Sequence, residues 1–256
     1  MKALQHEFLP PPERGRRFVA RGRVRLGDVD GRNRLRLDAI ARYLQDVAAD
    51  DVADVADSGV EGAWVLRRTA LVVGRSPRYG DDVEITTFCS GTGPRWAERR
   101  TTLAIDDGPF AEAAAIWVFV DRAGRPARLG DWFFDHYGEG ADGRKVSGRL
   151  SLPSPPDHAH ARPWPIRASD FDLLRHVNNA AYWYAVEDEL ARLAPDRVPS
   201  RAELEHRAAI EPGDPIELRS TVDGDVLSVW LTTHGEARSA ARIRFATSPG
   251  ARQDPR

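Results

Sequence analysis

Apolar and polar residues alternate from Phe18, where Phe-Val-Ala-Arg-Gly-Arg-Val-Arg-Leu sets Val24 and Leu26 on one face and predicts a strand. The period then lengthens. Ile40, Leu44 and Val47, spaced four and three apart, predict a helix from about Ala39 to Asp57 with Asp38 as its N-cap. The acidic far end of this helix (Asp46, Asp50, Asp51, Asp54, Asp57) reads as a solvated face. Strand-like runs follow at 64–73, 82–90, 95–105 and 111–120, with Gly-, Pro- and Asp-containing turns between them. Residues 121–163 break the rhythm, because Gly124-Arg-Pro, Gly138-Glu-Gly-Ala-Asp-Gly and Leu152-Pro-Ser-Pro-Pro are linker chemistry. A short strand at 164–168 then leads through a polar loop to a helix from about Asn179 to Leu193. Trp183, Val186, Leu190 and Leu193 form its stripe, and it stops before Pro195. Strands near 202–210, 216–222, 226–234 and 238–247 complete the pattern.

The two halves repeat more than an element order. Gly27-Asp28-Val29-Asp30 matches Ser169-Asp170-Phe171-Asp172, 142 residues later. Tyr79-Gly-Asp-Asp-Val-Glu-Ile matches Pro212-Gly-Asp-Pro-Ile-Glu-Leu, and Ala113-Ala-Ala-Ile matches Ser239-Ala-Ala-Arg-Ile. So long a period excludes a solenoid. It fits an α+β chain made of one unit fused to its copy, each a long helix wrapped by a curved antiparallel sheet. The expected layout is an arm at 1–16, a unit at 17–130, a linker at 131–163, a second unit at 164–248 and a tail at 249–256.

Composition narrows the classes. Of 256 residues, 41% are apolar and 30% charged, the balance of a soluble globular protein. The net charge of −2 provides no global field for nucleic acid or anionic lipid. Cys89 is the single cysteine, so no internal disulfide forms, and the residue reads as a core or strand position. Neither a signal peptide nor a membrane span is evident, so a cytoplasmic location is expected. No Gly-rich phosphate loop is present. The spacing of Asp170, Asp172 and His176 is no recognised ligand set, and His158-Ala-His160 sits in a Pro-rich stretch, so neither metal nor cofactor is expected.

The densest chemistry is Asp170-Phe-Asp172-Leu-Leu174-Arg-His176-Val-Asn178-Asn179, which runs into Ala-Ala-Tyr-Trp-Tyr. Two carboxylates, an imidazole and two amides stand at the start of an amphipathic helix. In the first half, Trp64-Val-Leu-Arg-Arg-Thr-Ala-Leu-Val-Val, Pro77-Arg-Tyr-Gly-Asp-Asp-Val-Glu-Ile and Ile116-Trp-Val-Phe-Val-Asp-Arg add a second signature. Together, across roughly residues 18–247, these segments resemble the acyl-ACP thioesterases of the plant and bacterial fatty-acid type. That family has a tandem (double) hotdog fold.

The resemblance implies hydrolysis of a fatty acyl thioester without a cofactor, on an acyl carrier protein or coenzyme A as carrier. That chemistry needs a positioned water, a base and donors for the oxyanion, and a helix start supplies backbone N–H groups for the last. Asp172 is the first choice for the carboxylate acting on water and His176 for its acid/base partner. Asn178 is expected to hold the carbonyl or cap the helix, with Asn179 beside it. Asp170 reads as a turn residue. The family resemblance implies that the first unit shapes the acyl tunnel, with Leu44, Val47, Ala48, Trp64 and Leu66 as candidate lining.

Two positions depart from the family pattern. Leu174 stands where the family has Asn, and Ala209-Ile210 where it has Glu-Cys, with Glu205, His206 and Glu211 as candidate replacements for the Glu. The first-half copy has Arg34 in the place of His176 and is expected to be non-catalytic. Arg67, Arg68, Arg95, Arg99 and Arg100 are candidate docking residues for an acidic carrier. An acyl-CoA thioesterase, a hotdog hydratase and a non-catalytic acyl-thioester binder are the alternatives. Monomer and homodimer both fit, since the fusion already supplies the pairing of two units.

Overall fold

The computed structural model describes residues 10–55, 62–106 and 108–246. Strand β1 (Phe18–Arg23) precedes helix α1 (Leu37–Ala53), and β2 (Ala63–Val73), β3 (Asp82–Thr92), β4 (Trp96–Ile105) and β5 (Gly108–Val120) complete the first unit. After helix α2 (Asp131–Ala141) come β6 (His160–Pro163), helix α3 (Tyr182–Leu193), β7 (Pro199–His206), β8 (Glu217–Asp223), β9 (Val226–Thr233) and β10 (Glu236–Phe245). The two five-stranded sheets expected from the repeat are halves of one ten-stranded antiparallel sheet, in the order β1-β3-β4-β5-β2-β7-β10-β9-β8-β6. They join where β2 pairs with β7, from Arg68↔Glu205 to Val72↔Arg201.

Both long helices lie against this sheet and share one core. Ile40, Leu44 and Val47 of α1 and Trp183, Val186 and Leu190 of α3 belong to the same buried cluster, with Phe110, Leu204 and Ile243 from the strands. Burying these stripes removes the apolar surface that neither helix could hide alone.

Three local expectations are corrected. Asp38 is no N-cap; it lies inside the first turn of α1, fully buried, with its carboxylate held by Arg36 Nε at 2.7 Å and Nη2 at 2.9 Å. β6 ends at Pro163, earlier than the predicted 164–168 strand, since Pro165 has no N–H to give to a ladder. β7 ends at His206 because the next two N–H groups, of Arg207 and Ala208, both turn to the Arg238 carbonyl.

The segment 131–163 is not uniformly linker. Its first third is α2, with Phe133 and Tyr137 buried one turn apart. The rest is strapped to the sheet: Ser151 and Leu152 donate backbone N–H groups to the buried Glu205 carboxylate at 2.5 and 3.1 Å. Trp96 Nε1 and Trp230 Nε1 hold the strap at the Val146 and Pro153 carbonyls. Of the arm, residues 1–9 lie outside the described residues, as do the tail and Asp57. Arg16 is anchored to Asp51 Oδ1 at 2.7 Å and Asp54 Oδ2 at 2.6 Å.

Candidate active site

Ala168–Asp170 forms one 3-10 turn, closed by the Arg167 N–H on Asp170 Oδ2 at 2.8 Å. Asp170 is therefore the turn residue its position suggested. The chain then doubles back through the Phe171↔Val177 bridge. Asp172 holds the tip: its N–H donates to the His176 carbonyl at 2.9 Å, and its Oδ1 accepts the Leu174 N–H at 2.8 Å. Arg175 takes the left-handed conformation the tip demands, φ 62°. Among the described residues no hydrogen bond reaches Asp172 Oδ2, which leaves that oxygen open for chemistry.

The same turn occurs at Asp30, where Oδ1 accepts the Arg32 and Arg34 N–H groups at 2.9 Å. There the second oxygen is taken by Arg34 Nε at 2.8 Å. The first-half copy is thus sealed by its own arginine.

Asn178 opens the way into α3. Its Oδ1 accepts the Ala180 N–H at 2.9 Å, its carbonyl accepts the Ala181 N–H at 2.9 Å, and its own N–H donates to Asp170 O at 2.8 Å. These bonds shape the turn ahead of α3, whose N-cap is Ala181, and leave the Asn179 N–H without a protein partner among the described residues. Asn179 Nδ2 donates to Gln45 Oε1 of α1 at 3.2 Å and so ties the loop to the other unit.

Asp172, Leu174, Asn178 and Asn179 face a cleft of about 570 Å³. Its opposite wall is α1, through Gln45, Ala48, Ala49, Val52 and Ala53. These positions recur at helical spacing, and the small side chains of Ala48, Ala49 and Ala53 leave the space open. Trp64, Trp117, Phe133 and Tyr137 line the remainder, with Cys89 and Arg99. Arg99 Nη1 reaches Asp51 Oδ2 at 2.5 Å. Asp51, read from sequence as solvated, is buried between Arg16 and Arg99. Burial pushes the Cys89 thiol up to about 11, so it stays protonated and unreactive near neutral pH.

The sequence candidates therefore divide. Asp172, Asn178, Asn179, Ala48 and Trp64 meet at the cleft. Leu44 and Val47 point into the shared core, and Leu66 is buried outside the lining. The His176 side chain is exposed and lies outside the lining, with no side-chain hydrogen bond among the described residues. Of the candidate Glu replacements, Glu205 holds the strap. His206 stacks edge-on against Tyr182 at 4.7 Å and is held neutral by burial beside Arg67, its pKa down at about 3. Glu211 is exposed on a turn. Ile210 sits against the loop, its carbonyl accepting the Val177 N–H at 3.2 Å. Arg67 spends its Nη1 on the His206 and Arg207 carbonyls.

Sequence reasoning missed Gln45, Phe133 and Tyr137. The run Trp132-Phe133-Phe134 with Tyr137 four residues after Phe133 was the available signal for α2. Among the described residues no three His, Cys, Asp or Glu side chains gather as a metal site, and no helix is long and apolar enough to cross a membrane.

The acyl-ACP thioesterase N-terminal domain profile matches residues 15–137, and the C-terminal domain profile matches residues 154–247. An uncharacterised protein of Mycobacterium tuberculosis is 30% identical over 234 residues, 91% of this chain and 94% of that one. The chloroplastic oleoyl-acyl carrier protein thioesterase of Coriandrum sativum is 28% identical over 204 residues, 71% of this chain and 54% of that protein. Among solved structures, the 12:0-ACP thioesterase of Umbellularia californica shares the fold with a TM-score of 0.77 at 19% identity, across 90% of this chain and 97% of that one.

Proposed function

Since the chain belongs to the acyl-ACP thioesterase family and is a thioester hydrolase, we propose that it releases free fatty acid from fatty acyl-ACP, with residues 164–248 carrying the chemistry and 17–130 the acyl chain. One observation carries the reading: Asp172 and the Asn178–Asn179 turn that leads into α3 face the same cleft as Ala48, Ala49 and Ala53 of α1. An acyl chain lying along those alanines, toward Trp64 and Phe133, presents its thioester carbonyl to that turn.

In this mechanism Asp172 Oδ2 takes a proton from a water whose oxygen attacks the carbonyl carbon. Negative charge moves onto the carbonyl oxygen, where the unpaired Asn179 N–H and the positive end of α3 stabilise it. Collapse of the tetrahedral species breaks the C–S bond and expels the carrier thiolate. His176, exposed on the loop, protonates the departing sulfur. The apolar walls exclude bulk water and strengthen each of these interactions.

Release of free thiol from acyl-ACP and acyl-CoA panels tests the proposal. Turnover of acyl-ACP is the expected result. Tight binding without turnover at any chain length would replace hydrolysis with a carrier role, and turnover of acyl-CoA alone would change the carrier.

A further inference from the structure

Gln45 lines the same cleft as Asp172, and its Oε1 is already engaged by Asn179 Nδ2 at 3.2 Å. A carboxamide whose oxygen is occupied must turn its –NH2 the other way. We propose that Gln45 is a catalytic residue of this site, its Nε2 donating to the thioester carbonyl oxygen beside the Asn179 N–H. This rests on the hydrolytic reading above and adds a donor supplied by the unit that holds the acyl chain.

The internal repeat gives the argument an independent footing. The residue 142 positions after Gln45 is Glu187, and the one 142 positions before Asn179 is Leu37. In that copy the same pair of positions is joined by a different donor: the Leu37 backbone N–H, rather than a side-chain amide, donates to Glu187 Oε1 at 2.6 Å. It borders a small cavity of about 110 Å³ with Asp30, Arg34 and Arg36. The acceptor half of the contact is thus common to both copies and is met equally well by a carboxylate. What differs is the second terminal atom: an N–H donor at position 45, an oxygen at 187. Only the copy whose aspartate is unsealed carries an amide there, a donor at every pH. Beside the open Asp172 carboxylate, a second carboxylate at position 45 would repel the developing oxyanion, whereas an amide stabilises it.

The contrast prescribes the test. Gln45→Glu keeps the acceptor for Asn179, as Glu187 does for Leu37, while it removes the donor and adds a negative charge. Gln45→Met removes donor and acceptor without adding charge. Both variants are expected to lose about 10²–10³ in kcat with KM changed only a few-fold, and Gln45→Glu is expected to keep the wild-type Tm. Two hydrolysis-resistant probes loaded on acyl carrier protein separate this from a failure of the hydrolytic reading. A ketone analogue keeps the carbonyl oxygen, with CH2 in place of sulfur; a thioether analogue has no carbonyl oxygen. Gln45→Met is expected to weaken the ketone about tenfold and leave the thioether unchanged. Wild-type kcat in Gln45→Met, or equal effects on both probes, overturns the role. Absence of wild-type turnover would sink the hydrolytic reading alone, since the ketone–thioether difference still decides whether Gln45 meets the carbonyl.

Discussion

Asp172 closes the same turn as Asp30, yet only Asp30 is sealed. Each Oδ1 accepts backbone N–H groups two and four residues on, at 2.8 and 3.4 Å for Asp172 and at 2.9 Å for both at Asp30. Arg34 then binds the second oxygen of Asp30. His176, in the equivalent place, leaves Asp172 open to the cleft. His176→Arg transplants the seal. It is expected to lower kcat by about 10²-fold or more, the loss of a positioned base, while the melting curve holds. Asp30→Asn, its counterpart in the silent copy, is expected to leave kcat within a few-fold.

Glu187 sets a pH dependence of stability. Burial pushes its carboxyl up to about 7 from the ordinary 4.5; the Leu37 N–H and Arg36 oppose the shift and Asp38 and Asp30 add to it. The folded chain therefore holds this proton more tightly than the unfolded one. Its contribution is fully present below pH 4.5 and is lost as pH rises to about 7. Glu187→Gln keeps an acceptor for Leu37 without the charge, so it is expected to stabilise the protein at pH 8 by on the order of 1–3 kcal/mol. At pH 4 the two proteins are expected to unfold alike in urea.

The inner wall of the cleft is set by α2. Phe133 is buried against Tyr137 and Trp64, with ring centroids 5.2 and 5.7 Å away. Phe133→Ala is expected to cost roughly 3 kcal/mol and to move the best kcat/KM toward longer acyl chains in a panel of acyl-ACP substrates. An unchanged chain-length profile would show that the chain does not reach α2.

Asp51 lies between two guanidinium groups, at 2.7 Å from Arg16 and 2.5 Å from Arg99. Asp51→Asn leaves both cations short of their counter-charge and is expected to cost about 3 kcal/mol in urea unfolding. The exposed Asp50→Asn, one residue away, is expected to leave stability unchanged.

These cases show what the sequence made legible. The tandem repeat, the two amphipathic helices and the Asp172 turn were readable because each rests on local periodicity or on side chains bonding their own backbone. The burial of Asp51 was not, because its partners lie 35 and 48 residues away in the chain. The merging of two sheets into one depends on β2 meeting β7, a pairing across more than a hundred residues. Helix α2 was hidden by Gly138 and Gly140, which read as linker although Gly140 packs closely on the Cys89 carbonyl. The register of the loop predicted that Asp172 and His176 share a turn; it did not show that Asp172 lines the cleft while His176 stands outside the lining. Gln45 stayed unread because its meaning comes from Asn179, on the other helix.

In the proposed mechanism the open carboxylate of Asp172 drives hydrolysis. Asp172→Asn tests it most directly, because the amide oxygen can still accept the Leu174 N–H and preserve the loop. Free-thiol release from the acyl-ACP that the wild type turns over fastest is expected to fall by about 10²–10⁴-fold, with Tm unchanged. A rate within a few-fold of wild type would contradict the assignment.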